Sequence, residues 1–382
     1  MEETEPPPVQ EPNEVPDESE EPSTEPEAPK ERPIPTFLER HYSMVAENED
    51  DSEDEEDAED PAGRMLYLRK CEEMGLMPVS QILKYLHMEE LHITHYGLGV
   101  RGVTALAAAL KVNQNLSILR LAGNHLGGEG CQLICEALQD NTTVKELDLS
   151  VNHLGGADGQ LSRPALHNLL SNVHSNLRTL HLKSNKLSDQ DAVVLAAALS
   201  SNQTLTCLDA NSNSFGEKAG IAFGNMLQGA TTITDLDLGW NQLRTKGAIA
   251  IAEGIKANAN IEVINLGWNG LGDDGMTAIG EALVMNTTLV EVILSCNGAG
   301  VKGAIGLAEG MRQNESLASL EIDQNSINEE GGEAIKAAVY SNKGILSLRL
   351  DQTNTSNELR EELETLMKER RVAQARGEKA PR

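Results

Sequence analysis

The sequence has little that a catalyst, a membrane protein or a secreted disulfide scaffold would need. Five cysteines occur in 382 residues, Cys71, Cys131, Cys135, Cys207 and Cys296. They are odd in number and show no C-x-x-C or other metal-ligand spacing, so they read as reduced thiols rather than as a disulfide framework or zinc site. No apolar run is long enough to span a bilayer, and the start Met1-Glu2-Glu3 lacks the basic and apolar regions of a signal peptide. Nor is there a G-x-x-x-x-G-K-[ST] phosphate cradle, an H-E-x-x-H pair or a Ser-His-Asp spacing. These absences predict a cytoplasmic protein that is not an enzyme and carries no cofactor and no metal.

Positive charge is also scarce. The formal net charge is −29, but residues 1–60 hold 24 Asp and Glu against Lys30, Arg32 and Arg40, a balance of −21 that leaves −8 for everything else. The acidic character therefore belongs to a tail, and it argues against nucleic acid or an anionic membrane as a partner. Proline is confined in the same way, with ten of the fourteen in residues 1–35. A segment of proline and mutually repelling carboxylates buries too little apolar surface to offset ordering entropy, so residues 1–62 are expected to be disordered. Within them, residues 35–45 form an apolar and aromatic island, either a docking motif or plain linker. Ser52 sits among acids that suit an acidophilic kinase or simply an acidic linker.

What is abundant is a repeat. Leu116-x-x-Leu119-x-Leu121-x-x-Asn124-x-Leu126 recurs with its asparagine at Asn124, Asn152, Asn185, Asn213, Asn241, Asn269, Asn297 and Asn325, every 28 residues except for one interval of 33. Tyr96 and Thr353 stand at the asparagine position in degenerate first and last copies. Leu119 and Leu121 share one face of a short strand, and the strands of successive coils pair into one parallel sheet. The asparagine satisfies backbone groups left unpaired by the turn after the strand and forms a ladder between coils. Each return path, such as residues 102–110, has helical apolar spacing. A helix is thicker than a strand, so the coil curves and the sheet lines its concave side. The predicted fold is an α/β leucine-rich-repeat solenoid of about ten coils over residues 88–356. Residues 63–87 form an N-terminal helical cap. In residues 357–382, Leu359, Leu363 and Leu366 form a capping helix, followed by a solvated basic tail that includes Lys368, Arg370 and Arg371. The many glycines are assigned to the repeat turns. The glycosylation-type triplets at Asn141, Asn202, Asn286 and Asn314 recur only because the repeat does.

A 28-residue strand-helix repeat with asparagine in the turn resembles the ribonuclease-inhibitor-like leucine-rich-repeat family, whose members form horseshoes. Tyr67-Leu68-Arg69-x-Cys71, Pro78-Val79-Ser80 and the turns Trp240-Asn241 and Trp268-Asn269 resemble the poorly characterised animal leucine-rich-repeat-containing proteins of the 74 group. The resemblance implies a fold and no single activity, because such scaffolds serve many partners. Ribonuclease inhibitor resembles a cysteine-dense array with alternating repeats, unlike this chain. The Ran GTPase-activating protein, also of this class, carries its acidic tail after the repeats rather than before them.

The residue between the two inward leucines points to the concave face: His92, Arg120, Asp148, His181, Asp209, Asp237, Asn265, Ile293, Glu321 and Arg349 in coil order, acidic in the middle. The next row, Ser150, Asn211, Gly239, Gly267, Ser295 and Asp323, is mostly small and predicts an open floor. Trp240 and Trp268 share one register position in neighbouring coils about 4.8 Å apart. They are either paired anchors at the rim of the face or rings lying flat over their own glycines to brace the turns. Asp209, Asp237, Trp240, Asn265 and Trp268 are thus the candidate partner-binding residues. The partner expected is a protein with a basic or mixed surface, bound by a non-enzymatic scaffold. The runner-up function is a regulator of a small GTPase. The 33-residue interval, residues 155–164, predicts a loop ahead of a helix started by Pro164, either a binding edge or drift in a tolerant loop. His87, His92 and His95 read as surface or cap histidines, and Cys131 and Cys135 as a buried apolar pair.

Overall fold

The computed structural model describes residues 60–156 and 159–377. The acidic tail with Ser52 and residues 35–45, Ala157 and Asp158 of the long interval, and Lys379 and Arg382 of the basic end lie outside the described residues.

Ten strands of three residues each, β1 (Glu90–His92), β2 (Ile118–Arg120), β3 (Glu146–Asp148), β4 (Thr179–His181), β5 (Cys207–Asp209), β6 (Asp235–Asp237), β7 (Val263–Asn265), β8 (Glu291–Ile293), β9 (Ser319–Glu321) and β10 (Ser347–Arg349), pair in chain order into one open parallel sheet. Parallel neighbours require a crossover, and a helix supplies each one: α3 (Gly99–Leu110), α4 (Gly127–Ala137), α5 (Gly159–Leu170), α6 (Asp189–Leu199), α7 (Glu217–Gly229), α8 (Arg244–Ala257), α9 (Gly272–Met285), α10 (Val301–Gln313) and α11 (Asn328–Ser341). Two short helices precede β1, α1 (Arg64–Glu73) and α2 (Ser80–Tyr85), and α12 (Asn357–Ala375) follows β10. The fold is the α/β leucine-rich-repeat solenoid expected from the sequence, with the sheet left open.

The core lies between sheet and helices. The central strand leucines pair directly, Leu91 on Leu119, Leu147, Leu180, Leu208 and Leu236, and Ile264, Val292, Leu320 and Leu348 continue the row. All but the last of these are fully enclosed. Period-two alternation sends their neighbours out on the opposite face, which gives the repeated buried-in-the-middle pattern of the strands.

Two expectations change here. Several glycines serve helix packing rather than turns. A Cβ on Gly310 would lie 1.9 Å from the carbonyl oxygen of Gly280, and one on Gly220 would lie 2.4 Å from the Cα of Gly247. Helices in adjacent coils touch backbone to backbone at these points, where only glycine fits. Pro164 does not start a helix, because α5 begins at Gly159 and Pro164 sits inside it. The carbonyl that proline cannot serve belongs to Gln160, which is exposed and open to water. The helix is pinned from two sides: Ser162 Oγ donates to Leu154 O at 2.6 Å, and Arg163 Nε donates to Asp191 Oδ1 at 3.0 Å.

Candidate functional site

The site begins with the turn that ends each strand. Asn152 shows the arrangement: its Nδ2 donates to the carbonyls of Leu121, Leu149 and Ser150, its Oδ1 accepts from the backbone of Asn124, and its own N–H passes on to Asn185 Oδ1. The backbone-to-amide link runs from Asn124 to Asn152, Asn185 and Asn213, and again from Asn269 to Asn297 and Asn325. Between the runs, Asn241 accepts from Phe215 N and donates to Ala210, Leu238 and Gly239 carbonyls. At the ends, Asn124 Oδ1 accepts from Tyr96 N, and Thr353 turns its hydroxyl to Leu350 O. These buried amides hold the residue before each asparagine in the left-handed region, at φ 55° for Trp240 and 60° for Trp268.

That conformation determines where the indoles go. Trp240 and Trp268 stack on one another, ring centroids 4.0 Å apart and planes 11° from parallel, while remaining 52% and 39% exposed. Strand spacing and stacking distance nearly coincide, so identical register positions in adjacent coils bring flat rings face to face.

Asp209, Asp237 and Asn265 lie side by side on β5, β6 and β7, preceded in the same row by Asp148 and His181. Glu146 and Asp235 share this exposed face from the first strand position. The carboxylates also have local duties that the sequence reading missed. Ser150 N donates to Asp148 Oδ1, Asn211 N to Asp209 Oδ1, Gly239 N to Asp237 Oδ1 and Gly267 N to Asn265 Oδ1, at 2.8 to 3.0 Å. The signal was visible in retrospect: an Asp or Asn followed two residues later by a turn is an Asx turn. Asn211 Nδ2 adds a bond to Asp237 Oδ1 at 3.0 Å. The expected open floor is therefore partly closed, with Ser150, Asn211 and Asp323 buried.

Within this acidic face, His181 Nδ1 stands 3.6 Å from Asp209 Oδ2. The Asp209 hydrogen bond raises the imidazole above its ordinary pKa, against the pull of burial and with help from Asp148. Burial pushes the Asp209 carboxyl upward, but the bonds from His181 and the Asn211 backbone outweigh it and leave the group below its ordinary value. Cys207, beside Asp209, Asp235 and Asp237, is raised by burial and then by those charges to about 11, so it stays a thiol at neutral pH. Arg120 is held by Glu146 at 2.7 Å, and Arg349 by Asp323 at 2.7 Å and Glu321 at 3.3 Å. His92 approaches Glu90 at 3.0 Å. Cys131 and Cys135 are buried with their sulfurs 3.9 Å apart. Among the described residues no group of three or more His, Cys, Asp or Glu is placed to hold a metal ion, and no helix is long and apolar enough to cross a membrane.

A second ladder, absent from the sequence reading, closes the other end of most helices. Asn286 Nδ2 donates to Ile255 and Asn258 carbonyls, and its Oδ1 accepts from Thr288 and Leu289 N–H groups. Asn113, Asn141, Asn202, Asn258, Asn314 and Asn342 bridge coils in the same way. The recurrent Asn-x-Ser/Thr triplets were its signature. It ends on Arg370, assigned above to a solvated basic tail but in fact fully buried, with bonds to the carbonyls of Val339, Asn342 and Ile345.

A family model described as leucine-rich repeat matches residues 112–135, 140–161, 173–196, 229–252 and 257–280. Among solved structures, actin-binding site 2 of leiomodin-1 is similar at 16% identity, over 42% of this chain and 92% of that one, with a TM-score of 0.37. A structure of the Rad7 and Elc1 complex in yeast is similar at 12% identity, over 85% and 96% of the two chains, with a TM-score of 0.36. With ten coils in register and five stretches matching the repeat model, the chain is a leucine-rich-repeat protein.

Proposed function

We propose that this protein is a non-enzymatic interaction scaffold that binds a protein partner of basic or mixed surface across the exposed face of β3 to β7, with the tryptophan pair at its rim. The observation that carries the reading is the juxtaposition of Glu146, Asp148, Asp209, Asp235 and Asp237 on neighbouring strands beside two half-exposed stacked indoles. A row of like charges on a rigid sheet steers and orients an oppositely charged partner, and large aromatic side chains supply the anchoring area. The leucine-rich-repeat architecture adds a general reason, since a regular sheet presents one residue per coil at a fixed spacing.

The test is affinity capture with the full chain and with Trp240→Ala/Trp268→Ala, followed by affinity measurement for whatever is enriched. Hot-spot truncations cost about 2 kcal/mol or more each, so the double variant is expected to lose the partner by several orders of magnitude while its melting curve stays close to wild type. Raising salt from about 50 to about 500 mM is expected to weaken the wild-type complex, because surface charge is screened. A partner retained equally by both proteins would overturn the assignment of the face. Stimulation of GTP hydrolysis by a small GTPase at substoichiometric amounts would replace the scaffold reading with the regulatory one.

A further inference from the structure

The indole stack is more exposed at its Trp240 end. Beyond Trp268 in the same register comes Cys296, but before Trp240 come Ser212 and Ser184, so two successive coils carry only a hydroxymethyl group where the next two carry rings. Ser212 is turned aside, its Oγ donating to Asn211 Oδ1. The exposures agree with this layer order, 52% for Trp240 against 39% for Trp268. Among the described residues no cation fills the gap: the one cation seated over an aromatic ring is Lys84 over Tyr85, at 5.2 Å, far along the array. Asp237, three residues before Trp240, accepts the Gly239 and Asn211 bonds through Oδ1 and leaves Oδ2 unused by any described residue.

We infer that the exposed face of Trp240 is a seat for an arginine side chain of the partner, in a basic segment whose neighbouring cation meets Asp237 and Asp209. The inference rests on the acidic-face reading above and names the residue that it selects. A planar group stacked at roughly 3.5–4 Å continues the ring-on-ring layering into the space that the preceding coil leaves vacant. Guanidinium is preferred to ammonium there because it is flat and weakly hydrated, and it stacks on an indole while its edge still donates hydrogen bonds. Same-side residues of an extended chain are about 6.6 Å apart, a step that suits one cation on the ring and the next over the carboxylates.

The chain's only two tryptophans are these two, so indole emission reports this rim. The probes are a nona-arginine and a nona-lysine peptide, each acetylated at its N-terminus and amidated at its C-terminus. Titrating the full chain with them at low salt should give an emission change whose midpoint is about three- to ten-fold lower for the arginine peptide. In Trp240→Ala and in Trp240→Leu, which keeps apolar bulk without the ring, the remaining Trp268 signal should show the two peptides binding alike. Equal midpoints in the wild-type chain, or an arginine preference that survives both Trp240 variants, would overturn the seat. Asp209→Asn/Asp237→Asn separates the two ideas, because these amides keep the oxygen that accepts the Asx-turn bond. If that variant binds both peptides as well as wild type does, the acidic-face reading fails while an arginine preference would still stand.

Discussion

The two asparagine ladders do the same chemistry at opposite edges of the solenoid, and only one of them is regular. Along the strand turns every coil from Asn124 to Asn325 carries an amide, each donating to two or three carbonyls and most accepting from the preceding coil, although the backbone-to-amide link lapses on either side of Asn241. Along the helix ends, the series skips His174 and Ala230 and finishes on Arg370. Where Ala230 stands, the hydroxyl of Thr232 reaches Asn202 O at 3.5 Å in place of an amide. The strand turn is sharp and enclosed, so its backbone groups have no alternative to the amide. The helix end lies nearer solvent and accepts substitutes. Arg370 is the most informative of these. It supplies donors only, and that suffices, because it stands inside α12, where backbone N–H groups are already bonded within the helix.

The sharpest way to break the comparison is at its regular side. Asn241→Leu strands the Phe215 N–H and takes one of two donors from each of the Ala210, Leu238 and Gly239 carbonyls, and at about 0.5–1.5 kcal/mol per lost bond it should cost on the order of 3 kcal/mol in urea denaturation. Asp237→Ser, on the exposed face, gives up two accepted bonds that are only partly buried and should cost about 1 kcal/mol. Equal losses in the two variants would refute the distinction between ladder and face.

Next in size is Arg370→Met, which keeps the side-chain bulk and removes the guanidinium. Three carbonyls lose a charged donor, offset in part by relief of the burial that lowers this arginine's pKa. A loss of about 2 kcal/mol is expected, seen in hydrogen exchange as early opening of β10 and α12 while the central coils stay protected. Uniform loss of protection along the array would show that the end acts as no separate cap.

Ala230→Asn should work in the opposite direction. Restoring the missing amide opposite the Leu199 to Asn202 turn is expected to raise stability by about 1 kcal/mol, measured as a higher urea midpoint at unchanged slope. A destabilised variant would mean that Thr232 has already taken the site.

The smallest effect belongs to the His181–Asp209 pair. The imidazole is raised, so its contribution is complete below the ordinary histidine value near about 6.5 and is lost as pH rises through the raised value. The carboxylate is lowered, so its contribution is complete above the ordinary value near about 3.9 and is lost as pH falls through the lowered one. The pair therefore stabilises most between roughly pH 4 and 6.5, by under about 1 kcal/mol given its exposure. His181→Gln should flatten the fall in stability between about pH 6 and 8, and an unchanged slope would remove His181 as its source.

Periodicity carried the fold. The 28-residue spacing placed every strand, because inward leucines and the turn asparagine are fixed by packing and backbone satisfaction within a single coil, which is local information. The helix-end ladder was partly present in the spelling Asn-x-Thr or Asn-x-Ser, at Asn141, Asn202, Asn286 and Asn314, but a polar residue in a polar loop carries no mark of burial until the neighbouring coil covers it. Glycine was misassigned for a similar reason. A turn and a helix-helix contact both require a missing Cβ, and the letter does not say which.

What the sequence by itself determined, then, is the repeat, the sheet and which residues share its exposed row, since these follow from the strand period of 2 and the repeat period of 28 alone. Tertiary structure decided everything that depends on distance between coils. It turned two tryptophans into a face-to-face stack with one end more exposed, tied the carboxylates of the acidic row to the backbone beyond them, and drew Arg370 out of an apparent basic tail into the last coil. The physical reason is that a coil-to-coil spacing near about 4.8 Å is close to the thickness of a ring and within the reach of a side-chain hydrogen bond, so residues one repeat apart become closer partners than most neighbours in the chain.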